Sequence, residues 1–425
     1  MQGIVPSLSV STPSWRLVGS HFLVGLLGMV GFATLFAWHA HRLEGHFFQP
    51  IFLALVHFAV LLWLLPIAFG ALLQMVPVIF SVDLPSRWMP WTAFVLYLLG
   101  SSGLIGHMWD YATGWGLPAA AGLLAASIWL YAITLFLAIG RSPKVDLTGA
   151  HVIFALLFLM LSSALGVALA WNLYRPFLLV DHLMALRAHV HLAGMGFFGL
   201  LIFGVAYKLC SMFLLAYGAK TWAGWLSLLA TSTGLILLGV DWIFGVTAEL
   251  QLFAASALAL GVLAFFQQIL AIFRTRLKKD LEVPWWHTLA SFGWLALASA
   301  FGLWLLRGDA EVKPADWEPL AYALAGLLGF VGSIVVGQLY KILPFLIWLH
   351  RFSPRLGEKP LPTAAQLIPQ DPQVLQWSTM QIGLLWLLAG LALQIPAAVL
   401  VGCGLFAVSA WMFAALLLPL YFAKP

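Results

Sequence analysis

The chain has 425 residues, of which 63% are hydrophobic and 8% charged, with a mean hydropathy of +1.00. That balance excludes a water-soluble globular fold of this size. The net charge of +5 lies in short connecting segments, which suits membrane orientation and leaves no surface that reads as a nucleic-acid site.

A helix needs about 20 apolar residues to cross a hydrocarbon core of about 30 Å, and only helices or closed barrels satisfy their backbone there. Apolar runs of that length occupy residues 17–38, 50–80, 89–107, 117–139, 148–170, 185–215, 222–243, 250–273, 287–306, 319–349, 379–396 and 398–421. The sequence therefore predicts an all-α integral membrane protein with twelve transmembrane helices, a single transmembrane domain over residues 1–425. Little besides Pro396 divides the last two runs. The first fifteen residues are polar and lack a cleavable leader pattern, so the first span is expected to insert the chain.

Taken in order, the spans carry their chemistry unevenly. The first opens with His21 in SHFLVGLLG and runs into WHAHRLEGHFFQP, which holds His39, His41, Arg42 and His46. His57 follows within the second span, and His107 ends the third. The fifth opens with His151; the sixth is led by Asp181 and His182 and carries Arg187, His189 and His191. The seventh and tenth spans contain no histidine, whereas the ninth opens with His287. Cys210 and Cys403 are isolated inside separate spans, which argues against a disulfide framework or a thiolate metal cluster.

Basic residues sort by side. Thirteen fall at one set of ends: Arg16, Arg87, Arg141, Lys144, Lys220, Arg274, Arg276, Lys278, Lys279, Arg351, Arg355, Lys359 and Lys424. The opposite ends carry Arg42, Arg175, Arg307 and Lys313. The asymmetry predicts cytoplasmic N and C termini in a bacterial cytoplasmic (inner) membrane. RTRLKK, between the eighth and ninth spans, reads as retained positive charge in contact with anionic lipid.

Three stretches align: HFAVLLWLLPIAFGALLQMVP from His57, HLAGMGFFGLLIFGVAYKLCS from His191 and LAGLLGFVGSIVVGQLYKILP from Leu324. Gly70, Gly204 and Gly337 then coincide, 134 and 133 residues apart, and His21, His151 and His287 recur at 130 and 136. Two agreeing registers predict three pseudo-symmetric four-helix repeats, over about 17–139, 148–273 and 287–421. His21, His151 and His287 are expected to anchor at the membrane edge or bond a neighbouring helix end.

An imidazole inside a membrane needs a partner for each ring nitrogen, and a metal supplies one while a carbonyl orients the other. His57 and His191 are the candidate axial ligands of a noncovalent b-type heme, since no CxxCH attachment motif is present. His189 lies roughly 200° around the helix from His191 and must face elsewhere. Arg187 is the candidate partner for the heme propionates, with snorkelling to lipid headgroups as its plainer role. Trp38, Trp63 and Phe197 can pack on a macrocycle or simply fill the core. His39, His41 and His46 are a candidate nitrogen-rich copper site, alongside the metal candidates His57 and His191, with His107 and His182 as further donors. Lys208 and Lys341 occur in matching Tyr-Lys pairs and read as snorkelling side chains, with Gln74 in the corresponding place.

With the HVHLAGMGFFGLLIFGVAYKL and HFAVLLWLLPIAFGALLQMVPVIF stretches on the page, the chain resembles subunit I of the heme-copper oxidases. It is most similar to the cbb3-type oxidase and nitric oxide reductase branch and to membrane heme-copper proteins of the nitric oxide response. The resemblance implies a heme ligand at His57 and a copper-ligand position at His191 or His189. It also implies heme ligands on the tenth span and a histidine pair on the seventh, and both are missing. A complete oxygen-reducing centre is therefore not expected. What the resemblance leaves is a divergent b-type heme protein, with copper as a further candidate, acting in respiratory electron transfer or nitric oxide handling. Its expected partners are a periplasmic cytochrome or cupredoxin donor, respiratory membrane subunits and lipid, with no nucleic acid. The alternatives are a non-catalytic partner or assembly subunit of a respiratory complex, or a transporter of copper or a small solute.

Overall fold

The computed structural model describes residues 14–43, 48–245, 247–306, 317–357 and 361–423. Among them the fold is an all-α bundle, and twelve helices are long and apolar enough to cross a membrane. They are α1 (Trp15–Trp38), α2 (Pro50–Phe80), α3 (Trp88–Trp109), α4 (Gly116–Ile139), α5 (Leu147–Tyr174) and α6 (His182–Phe213), then α7 (Trp222–Phe244), α8 (Ala248–Arg274), α9 (Val283–Leu305), α10 (Glu318–Arg355), α11 (Gln370–Ala392) and α12 (Pro396–Phe422). An isolated antiparallel bridge joins Ala216 to Arg276.

Helix ends follow local chemistry. Asp146 caps α5 by accepting from the Gly149 N–H at 2.9 Å, and Asp181 caps α6 by accepting from Leu183 and Met184. Thr247 does the same for α8 through Leu250. Each cap satisfies donors that a helix start leaves open. Pro396 sits at the first position of α12, where its missing N–H costs nothing, and Gln394 just before it takes a left-handed conformation, φ 54°.

The eleventh helix begins at Gln370, nine residues ahead of the expected 379. Its first turns hold Gln373 and Gln376, which read as loop-like in sequence yet are buried against protein. Gln373 donates to the Ile368 and Pro369 carbonyls at 3.2 Å, and the Gln376 amide oxygen accepts from His287 and Tyr340, bonds that replace the water a polar sequence ordinarily requires.

The chain divides into two compact units. One comprises Ala68–His107 and Ala112–Lys279 with the start of α1. Within it α4 packs along α5, α5 along α6, and α7 along α8. Phe203 stacks on Phe265 at 3.9 Å, Phe69 on Tyr131 at 4.1 Å, and the Ser127 hydroxyl donates to the Ala93 carbonyl at 2.7 Å. The other unit comprises His21–Ile67, Met108–Tyr111 and Asp280–Pro425. There α9 packs on α10 and α11, and α11 lies along α12. Gly383, Gly390 and Gly402 let those last two backbones meet, since a Cβ at Gly402 would overlap the backbone of Leu387.

Three spans share an irregularity. The backbone widens into a π-helix over Ala59–Leu64 in α2, Leu192–Gly199 in α6 and Ala325–Gly332 in α10. The three segments begin 133 residues apart each time. A π turn inserts an extra residue and re-aims side chains on either side of it, which is why such turns concentrate at functional positions.

Candidate functional site

His57 and His191 each stand just ahead of a π segment. The His57 Nδ1–H donates to the Leu53 carbonyl at 2.7 Å, and the His191 Nδ1–H donates to the Arg187 carbonyl at 2.8 Å. A carbonyl can only accept, so the proton resides on Nδ1 and Nε2 carries the ring's lone pair. This tautomer, held by a carbonyl behind the ring, is the one that presents Nε2 to a metal. His191 also lies over Trp242 of α7, ring centroids 4.6 Å apart.

His189 faces another neighbour. Its Nδ1 donates to the Ser162 carbonyl of α5 at 2.9 Å, while the Ser162 hydroxyl returns a bond to the His189 carbonyl at 3.1 Å. Gly166, one turn along α5, makes room for the ring: a Cβ there would stand 3.0 Å from Cε1. Thus His189 turns to α5 and His191 to α7, as their two-residue spacing requires. Arg187 is exposed, with a nitrogen 3.7 Å from the Met184 sulfur. His182 meets the Asn172 side-chain nitrogen at 3.2 Å, and Asn172 also accepts from the N–H groups of Phe177 and Leu178, tying down the turn before α6.

The remaining donors are more dispersed. His39 and His41 have ring centroids 6.3 Å apart, and Trp109 meets His39 edge-on at 5.5 Å. His39 Nδ1 is buried without a hydrogen-bond partner among the described residues. Desolvation, with the positive charges of Arg42 and His41, pushes the His39 imidazole below its ordinary value. His46 lies outside the described residues. His107 donates from Nδ1 to the Gly103 carbonyl at 2.8 Å. Among the described residues no three histidine, cysteine or acidic side chains gather as a metal site. His39, His41 and His57 belong to the second unit, whereas Arg187, His189 and His191 belong to the first.

Of the proposed aromatic wall, Trp63 and Phe197 are buried and Trp38 is exposed. Trp63 stacks on Phe32 at 6.0 Å and meets Phe406 at a tilt, 6.2 Å between centroids, and a Cβ at Gly332 would press on its ring at 2.9 Å. The second unit is solidly filled around that indole.

Sequence reasoning missed the polar network of the second unit. Trp294 Nε1 donates to Gln381 at 2.8 Å, and Gln381 donates onward to the Ser333 hydroxyl at 3.1 Å. His287 Nε2 and the Tyr340 hydroxyl both bond the Gln376 amide oxygen, at 3.1 and 3.2 Å. Lys341 is paired with Glu282 at 2.8 Å and sits 5.9 Å from the Trp285 ring centroid, so it does not simply reach for solvent. Lys208, by contrast, is exposed as snorkelling requires. His21, His151 and His287 are all buried in helix packing. The only signal that could have flagged the glutamines was their spacing at 373, 376 and 381, which keeps roughly one helical face.

No protein-family model matches the chain, and no curated protein matches it.

Proposed function

We propose that this chain is a b-type heme-binding membrane protein, with His57 as an axial ligand, that serves respiratory electron transfer or the handling of nitric oxide. The observation that carries this reading is the anchored tautomer of His57: Nδ1–H on the Leu53 carbonyl, Nε2 as the ligand nitrogen, just ahead of the π segment of α2. His191 repeats the arrangement in α6 and is the second candidate ligand, with His189 beside it and Arg187 as the candidate partner of the propionates. Heme, when bound, would supply one-electron redox chemistry and a site for a diatomic ligand. The protein's part is to orient the imidazoles and keep the surroundings apolar. His39 and His41, with their neighbouring rings, are the two donors offered to a copper ion. A periplasmic cytochrome or cupredoxin would be the electron donor. The bacterial inner membrane, the cytoplasmic termini and the threefold four-helix repeat belong to the same reading; the even spacing of the three π segments supports the repeat.

The test is a reduced-minus-oxidised absorption spectrum with iron and copper analysis on heme-supplemented, purified protein. The reading expects a b-type signal that His57→Ala abolishes and His191→Ala weakens. Protein with native helicity but neither iron nor a Soret band would refute it. A second reading, a partner or assembly subunit of a respiratory complex, is favoured by the dense packing of Trp63 with Phe32, Phe406 and Gly332, and predicts co-purification with such a complex in the absence of any metal.

A further inference from the structure

His151 of α5 and His287 of α9 occupy closely similar settings, one in each unit, and differ in how their ring nitrogens are partnered. Both rings are fully buried. A Cβ at Gly204 of α6 would overlap that of His151, and a Cβ at Gly337 of α10 would crowd that of His287, so each histidine backs onto a glycine. Each also has a tyrosine beside it, Tyr207 at 5.3 Å and Tyr340 at 6.0 Å between centroids. In the second unit Gln376, in the second turn of α11, joins the pair through its amide oxygen, which accepts from both His287 Nε2 and Tyr340.

In the first unit α7 carries the much shorter Ser227 in its second turn, three residues after Gly224, where a Cβ would stand 3.2 Å from the Tyr207 ring. His151 Nδ1 donates to the Leu147 carbonyl at 2.9 Å, which makes Nε2 a lone-pair acceptor. That Nε2, the Tyr207 hydroxyl and the Ser227 hydroxyl are all buried; none makes a hydrogen bond of ordinary length and angle among the described residues, although the Tyr207 and Ser227 hydroxyls lie near enough to interact. Groups of this kind stranded inside helix packing are costly, and three is also the number of bonds a buried water commonly makes.

We propose that His151, Tyr207 and Ser227 hold a buried water molecule that does in the first unit what the amide oxygen of Gln376 does in the second. The protons balance. The water gives one hydrogen to His151 Nε2 and the other to one hydroxyl oxygen, and accepts from the remaining hydroxyl. An amide oxygen suits His287, whose Nε2 is a donor; a water suits His151, whose Nε2 needs one. This site is independent of any heme.

Radiolytic hydroxyl labelling of the full chain in lipid nanodiscs, in 18O-enriched water, tests it. Tyr207 and Tyr340 are equally shielded, each 5% exposed, so Tyr340 is the internal reference. Tyr207 is expected to label several-fold faster than Tyr340. Ser227→Gln, which brings the amide to the first unit, is expected to reduce Tyr207 to the rate of Tyr340 and to raise the melting temperature. Equal labelling of the two tyrosines in the unaltered protein overturns the proposal without recourse to a variant. So does Ser227→Gln protein that melts lower while Tyr207 labels as before.

Discussion

At the scale of single residues, what a histidine does here is decided by which atom lies behind its ring. The positions of the twelve histidines were legible in the sequence, and so was the opposed facing of His189 and His191, because helical geometry fixes it. Their partners were not legible, since Ser162 and Gly166 belong to another helix and no local pattern names them. Gly166→Val should push the His189 ring off the Ser162 carbonyl and strand both groups, lowering stability by about 1–3 kcal/mol; a melting curve unchanged from the parent would show that the contact carries no weight. The buried glutamines make the same point from the other side. Gln381→Met should leave the Trp294 indole and the Ser333 hydroxyl without their shared partner, at a similar cost of about 1–3 kcal/mol, whereas Gln370→Met, at an exposed position, should be near neutral. Equal melting temperatures for the two variants would mean that the network is ornamental to the fold.

At the scale of elements, hydropathy placed nearly every span within a few residues, because length and apolarity are the quantities that the bilayer selects. Only α11 departed widely, where buried glutamines disguised two helical turns as loop. The π segments were invisible beforehand: AVLLWL, LAGMGFFG and AGLLGFVG are as compatible with an α-helix as with a wider turn, and packing of neighbouring helices selects between them. If the first of these segments aims His57, removing its extra residue must matter more than changing a side chain. Deleting Val60 should restore α-helical winding, remove the local widening that follows His57 and abolish the proposed b-type spectrum. Val60→Leu should leave the spectrum intact. A deletion protein that keeps its heme signal at the parental amplitude would show that the π turn does not position the ligand.

For the whole molecule, the charges of the connecting segments predict which ends of the helices face the cytoplasm, and labelling of those segments tests it. The orientation proposed above puts the ends that carry Arg141, Lys144, Arg274, Arg276, Lys278 and Lys279 in the cytoplasm. On that proposal the segment between α5 and α6, with Leu179 fully exposed, would face the periplasm. Cys210 and Cys403 are both buried, so the chain offers little background to a thiol reagent. A cysteine at Leu179 should therefore react with a membrane-impermeant maleimide in intact spheroplasts, and a cysteine at the exposed Lys279 should react only after lysis. The reverse pattern would invert the molecule in the bilayer. It would place His182, close after that segment at the start of α6, at the cytoplasmic surface, and a periplasmic electron donor could no longer be the partner.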